Sequence, residues 1–313
     1  MAGGKGLSQP TILFKFKMNR FFSGELAFTQ LRGASMKLNA LNNLSASFSN
    51  TSTMPVLFLG HGSPMNAIEE NEFVTGWREA GKTIPRPNTI LCISAHWETR
   101  GTFVTAMEKP MTIHDFGGFP QKLFDVQYPA PGSPELASNV KKIITKTEVD
   151  LDQKWGLDHG CWSVVKHLYP AADVPVIQMS LDYYQTPQAH YDLAKELASL
   201  RKKGVLIVGS GNIVHNLSRV AWDKLNEVGF AFDWAMEANE KMKKYILNED
   251  HQQLIDYKSH GRAFDLAIPT PEHFLPLLYV LALKEEHEGV TIFNDQTVAG
   301  SLSMTSVKIG SSS

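Results

Sequence analysis

Several times along this chain a short, largely apolar run stops at once on small residues, a histidine or an aspartate. Pro55 to Leu59 leads into Gly60-His61-Gly62-Ser63-Pro64, and Thr89 to Ser94 leads into Ala95-His96-Trp97. Val174 to Leu181 leads into Asp182, and Gly204 to Val208 leads into Gly209-Ser210-Gly211-Asn212. A strand with one wet face alternates polar and apolar residues. An unbroken apolar strand needs cover on both faces, which is the condition of a parallel sheet between helical layers. Helical spacing of apolar residues fills the intervals, over residues 134–147, 161–169, 187–203, 232–247 and 271–284. Ser133-Pro134 and Thr270-Pro271 read as capped starts with proline in the first turn. The sequence therefore predicts an α/β fold, a single domain with a central mainly parallel (mixed) sheet flanked by helices on both faces. The alternating tail from Gly300 to Ile309 reads as a last strand, at an edge or antiparallel. No internal repeat and no interior linker divides this domain.

Composition excludes more than it suggests. The chain is 43% hydrophobic and 20% charged, ordinary for a soluble globular protein, and its formal net charge of -2 offers no field for nucleic acid or an anionic membrane. No apolar run approaches the ~20 residues of a membrane span. Two cysteines, Cys92 and Cys161, make neither a disulfide framework nor a C-x-x-C motif. They point to a reducing compartment, so a cytoplasmic location is expected. Residues 1–53 hold six basic residues, one acid (Glu25) and many Ser and Asn. They are expected to be either a disordered N-terminal extension or a non-native stretch from an upstream in-frame start, with Met36 or Met54 as the real initiator in the second case. Their likeness to a transit peptide leaves organellar targeting as the alternative. Residues 54–313 are the expected catalytic domain. No G-x-S-x-G, P-loop or H-E-x-x-H motif occurs. Nothing in the sequence marks an oligomeric state.

Among eleven histidines, placement is the useful guide. His61 follows the first strand, His96 the second, and His215 lies a few residues past the run at 205–208. Ligands of open α/β sheets bind beyond the carboxyl ends of the strands. Three separate strands thus deliver an imidazole toward one edge, and neutral imidazole is a common ligand for zinc and other first-row metals. A shared metal site is the reading this placement favours over three unrelated loop histidines. His273 is expected in the first turn of the helix at 271–284, and either it or the adjacent Glu272 could complete the coordination. His114, in Thr112-Ile113-His114-Asp115-Phe116-Gly117-Gly118-Phe119-Pro120, and His159, in Trp155-Gly156-Leu157-Asp158-His159-Gly160-Cys161-Trp162, sit in Gly- and aromatic-rich loops. Such loops host substrate-contacting and acid/base groups, although plain loop packing serves as well. His167, His190, His251, His260 and His287 fall in helical or charged stretches and read as surface or ordinary residues.

The ordered set Gly60-His61-Gly62-Ser63-Pro64-Met65-Asn66, Ser94-Ala95-His96-Trp97, Thr112 to Pro120, Tyr128-Pro129-Ala130-Pro131-Gly132, Asp158-His159-Gly160, Gly211-Asn212-Ile213-Val214-His215-Asn216 and Pro269-Thr270-Pro271-Glu272-His273 resembles the 4,5-DOPA extradiol dioxygenase family. That family belongs to the class III extradiol ring-cleavage superfamily. The resemblance spans about residues 54–310. It implies one divalent metal ion per chain, Zn2+ or Fe2+, held by His61, His96 and His273, with His215 as a further ligand or as the acid/base. It implies a small aromatic diol and O2 as reactants. In the ring opening, His215 or His159 would take a phenolic proton, and His114 would orient substrate or help protonate the leaving oxygen. An all-histidine site departs from the two-histidine, one-carboxylate triad of non-haem iron oxygenases and suits zinc equally well. A zinc-dependent hydrolase on the same histidines is therefore the alternative, and a metal-binding or sensory protein without turnover the third reading.

Overall fold

The computed structural model describes residues 51–225 and 227–311, and the expectations for residues 1–50 lie outside the described residues. The strands, in chain order, are β1 (Val56–Gly60), β2 (Thr89–Thr99), β3 (Thr102–Thr105), β4 (Met111–Thr112), β5 (Val149–Asp152), β6 (Gly156–Leu157), β7 (Val176–Asp182), β8 (Val205–Gly211), β9 (Gly289–Phe293), β10 (Thr297–Val298), β11 (Leu302–Ser303) and β12 (Ser306–Gly310). The helices are α1 (Glu72–Lys82), α2 (Gln121–Phe124), α3 (Pro134–Ile143), α4 (His159–Leu168), α5 (Pro187–Lys195), α6 (Ala198–Arg201), α7 (Asp233–Leu247), α8 (His251–Ile255), α9 (Arg262–Ala267) and α10 (Leu275–Ala282).

One eight-stranded sheet runs in the order β5-β3-β7-β2-β8-β1-β12-β9. Its middle, β7-β2-β8-β1, is parallel throughout. Antiparallel pairings join β3 to β7 on one side and β12 to β1 on the other. The parallel strands are apolar on both sides because both sides are covered. Val56, Phe58, Leu91, Ile93, Val205 and Ile207 pack with residues of α3, α5, α7 and α10. Their chain neighbours Leu57, Leu59, Ile90, Cys92, Leu206 and Val208 pack with α1 and α4 on the opposite face. Each fully buried side chain of this size contributes roughly 1.5–3 kcal/mol. A register slip of one residue would merely exchange two apolar faces here, so the pattern specifies burial strongly and register weakly.

The structure differs from the sequence reading at instructive places. Strand β2 does not stop before His96 but continues to Thr99, with its pairing to β7 irregular between Ile93 and Glu98. His96 thus sits in a distorted stretch of strand, and such distortions re-aim side chains. Strand β8 likewise includes Gly209, Ser210 and Gly211, which read as an exit loop. The helix expected over 271–284 spans Leu275–Ala282, with Pro276 in its first turn. A helix running through Pro276 from 271 would press the pyrrolidine ring onto the carbonyl of Glu272, so His273 falls in a turn before the helix. The stretch 187–203 breaks into α5 and α6. The last strand, β12, is antiparallel as expected but lies inside the sheet, paired on its outer side with β9, which the sequence reading missed. His167 and His190 lie on helices yet are buried, 7% and 1% exposed, and are not surface residues. No helix among the described residues is long and apolar enough to cross a membrane.

Candidate metal centre

Strands β2, β8 and β1 are neighbours, so their carboxyl ends lie side by side. His61 leaves β1 with its backbone N–H bonded to the carbonyl of Gly211 at the end of β8, at 3.0 Å. Asn212, the next residue, donates its N–H to the carbonyl of His273 at 2.8 Å, which draws the turn before α10 onto the strand end. Gly211 makes this approach feasible, because a Cβ there would lie 2.1 Å from the His273 carbonyl oxygen. Gly160 serves the other side: a Cβ would lie 2.5 Å from Ser94 Oγ and 2.7 Å from His96 Cδ2. Packing of α4 against β2 at this point requires glycine.

The result is a knot of imidazoles. His61, His96 and His273 each offer a ring nitrogen, all within 4.8 Å of one another. Hydrogen bonds behind the rings dictate which nitrogen faces inward. Ser210 Oγ donates to the Gly160 carbonyl, so toward His61 Nδ1, 3.0 Å away, it must accept. The proton of His61 is therefore on Nδ1, and Nε2 keeps its lone pair. Glu272 Oε1 accepts from His273 Nδ1 at 3.1 Å, with the same outcome. The Asp115 carboxylate lies 3.4 Å from His96 Nδ1 and favours the proton there. His61 Nε2 and His96 Nε2 then face each other at 3.1 Å, lone pair toward lone pair. Two nitrogens bound to one tetrahedral zinc at about 2.0–2.1 Å would be about 3.3 Å apart. The donor set fits a divalent metal ion, with outer partners of the kind that orient metal-bound imidazoles.

The electrostatics agree. Burial, with the like charge of neighbouring imidazoles, holds His61 and His273 well below the usual histidine range. Burial and the neighbouring His159 lower His96 to about 3, and burial with His159 lowers His215 to about 4. All four are neutral at pH 7, which is the form that ligates metal.

Two further histidines flank the group. His159 is the first residue of α4, which Asp158 caps by accepting from the Cys161 N–H. Its Nδ1 donates to Asp115 Oδ2 at 2.9 Å, and its ring centroid is 3.8 Å from that of His96. His215 stacks on His273, with centroids 3.5 Å apart and planes 7° from parallel. With Glu272 and His273 it forms a further group whose ligand atoms lie within 4.8 Å of one another, sharing His273 with the trio. His114 is a different case. Its Nε2 donates to the Val126 carbonyl at 2.9 Å, and its ring packs on Phe116, Phe124 and Trp162. None of these contacts is with the imidazole group, and the nitrogen that carries its proton is committed to the backbone.

Residues 51–303 match the family described as the catalytic LigB subunit of aromatic ring-opening dioxygenase. The chain belongs to this family. A relative from Escherichia coli (strain K12), named 4,5-DOPA dioxygenase extradiol, is 46% identical over 83% of this chain and 96% of its own length. A relative of the same name from Beta vulgaris is 35% identical over 81% of this chain and 96% of its own. The crystal structure of an uncharacterized protein from Escherichia coli K12 superposes with a TM-score of 0.71 at 43% identity, covering 82% of this chain and 100% of that one. The chain is thus an enzyme of the dioxygenase class, as the resemblance implied, with a histidine group that could bind the metal.

Sequence reasoning missed the partners behind the rings. Asp115 was visible only as a letter between His114 and Phe116 in a glycine- and aromatic-rich loop. Ser210 read only as part of the small-residue exit loop Gly209-Ser210-Gly211-Asn212. Glu98 went unnoticed two residues past His96. Burial there pushes its carboxyl up, and the nearby Glu272 charge adds to the shift.

Proposed function

We propose that this protein is a metal-dependent extradiol dioxygenase that opens a catechol such as DOPA, inserting both atoms of O2 beside the diol. The observation that carries the reading is the convergence of the His61, His96 and His273 ring nitrogens, flanked by two more imidazoles, in a chain of the LigB family. In this reading the three histidines hold one divalent ion. The ion, when bound, supplies redox chemistry and a site for the diol oxygens, for which Fe2+ is suited and Zn2+, with no second oxidation state, is not.

The chain's own groups then divide the remaining work. His159 Nε2, with Nδ1 already donating to Asp115, is free to take a phenolic proton. His215, stacked on His273 beside the trio, serves in this reading as a second proton carrier. Positioned imidazoles of this kind typically contribute 10²–10⁴-fold. His114 shapes the substrate loop through its packing.

A second reading follows from the absence of a carboxylate in the trio: Glu272 is turned to His273 Nδ1 and Thr270 Oγ1. Three histidines with an open position also suit zinc-bound water and hydrolysis. Anaerobic reconstitution of the apoprotein with Fe2+ or Zn2+, then oxygen uptake with a panel of catechols, separates the two. Uptake and a yellow ring-opened product with Fe2+ alone is the expected result. No uptake with either metal across the panel would transfer the assignment to hydrolysis.

A further inference from the structure

We propose that Asp115 is a positioning residue that sets two imidazoles at once, fixing His159 as a base and bracing His96 as a metal ligand. The catalytic half of this rests on the dioxygenase reading; the metal half does not.

The geometry is specific. Asp115 Oδ1 accepts the backbone N–H of His159 at 2.8 Å, while Oδ2 accepts His159 Nδ1–H at 2.9 Å. The backbone N–H is one of the donors that the start of α4 leaves without an intrahelical partner. One carboxylate thus holds both ends of a single residue, which removes the freedom of the ring to turn. The same Oδ2 lies 3.4 Å from His96 Nδ1.

The loop that carries Asp115 is itself fastened beside α4. Strand β4 pairs with β6, the Ile113 N–H bonds the Leu157 carbonyl at 2.7 Å, and the Ile113 carbonyl accepts from Trp162 Nε1 at 2.8 Å. Phe116 packs edge-on against the His159 ring, with centroids 5.5 Å apart. Only 18% of the Asp115 side chain is exposed, so solvent competes poorly for its oxygens. With the Nδ1 proton held by the carboxylate, His159 presents the Nε2 lone pair. A proton leaving a substrate hydroxyl would go to Nε2, and the carboxylate would stay ionised and stabilise the imidazolium that forms.

A carboxylate that only capped α4 would affect folding and nothing else, so the test reads other quantities. The full chain is prepared as wild type, Asp115→Asn, Asp115→Glu, His159→Ala and the double variant Asp115→Asn/His159→Ala. Steady-state oxygen uptake with Fe2+ gives kcat and KM, and chelator competition with Co2+, followed by its absorption spectrum, gives metal affinity. Asp115→Asn is expected to lower kcat by about 10–100-fold with little change in KM, and to weaken Co2+ binding by a similar factor. The double variant is expected to turn over no more slowly than His159→Ala alone, because Asp115 acts through that ring. Asp115→Glu, which keeps the charge one methylene away, is expected to be intermediate in both readouts, and it serves as the test if the Asn variant does not fold. Equal kcat losses from Asp115→Asn with and without His159, or unchanged Co2+ affinity, would overturn the proposal. If the wild type consumes no oxygen with any catechol, the dioxygenase reading fails, and Co2+ affinity alone decides whether Asp115 braces His96.

Discussion

Two sets of histidines in this protein, buried or, for His96, half-buried, share an environment and differ in what they do with it. His167 and His190 lie within α4 and α5, and burial lowers each to about 4. Each is tied to an ordinary partner: His167 Nε2 donates to the Asn66 carbonyl at 2.8 Å, and His190 Nδ1 meets the Tyr279 hydroxyl at 2.9 Å. In the cluster, burial depresses His61, His96 and His273 likewise, but hydroxyl and carboxylate partners stand behind the rings and the Nε2 atoms are turned toward one point. A depressed pKa therefore does not distinguish a site from a core. The direction of the second nitrogen does.

The largest effect that would break this comparison is at the ligands. His61→Ala or His96→Ala is expected to abolish bound metal, measured by metal analysis of the purified protein, and with it all ring opening. The loss should exceed the about 10–100-fold typical for removing an outer partner. The flanking rings come next. His159→Ala and His215→Ala are each expected to keep full metal content while kcat falls by about 10²–10⁴-fold. Metal loss in His215→Ala would instead make it a ligand. Ser210→Ala, which removes the acceptor behind His61, is expected to weaken metal binding by about 10–100-fold in chelator competition while leaving the fold intact.

The smallest effects belong to the other set. His190→Leu leaves the buried Tyr279 hydroxyl without its partner, which costs about 1–3 kcal/mol in urea unfolding, with turnover per folded molecule unchanged. A loss of turnover there would erase the distinction drawn above. The same set also gives a pH signature. The folded pKa of about 4 lies below the unfolded value of 6.5 for both His167 and His190, so the unfolded chain binds more protons in that interval. Their contribution is fully present above pH 6.5 and is lost as pH falls toward about 4. The urea midpoint of the apoprotein should therefore drop between pH 7 and pH 5, and less so in His190→Leu.

Much of the fold was legible locally. Unbroken apolar runs between amphipathic stretches can be satisfied only by a sheet covered on both faces, and alternate residues of β1, β2 and β8 do pack into opposite layers. His61 and His215 were likewise placed by position alone, each just past a strand that ends on small residues. The trio could be proposed from the sequence because strand ends and a motif order are one-dimensional facts.

What the sequence could not decide was set by contacts between distant segments. His96 is aimed by an irregularity in the pairing of β2 with β7, which depends on another strand. His273 sits in a turn because Pro276 cuts the helix, yet its place at the site comes from Asn212 and Gly211 on β8. Asp115 and His159 are 44 residues apart, and nothing in either stretch announces the pair. Periodicity reports which residues want burial, since each residue carries its own transfer free energy. The tautomer of an imidazole depends on a hydrogen-bond partner brought within about 3 Å, and only the packing of the finished layers supplies that partner.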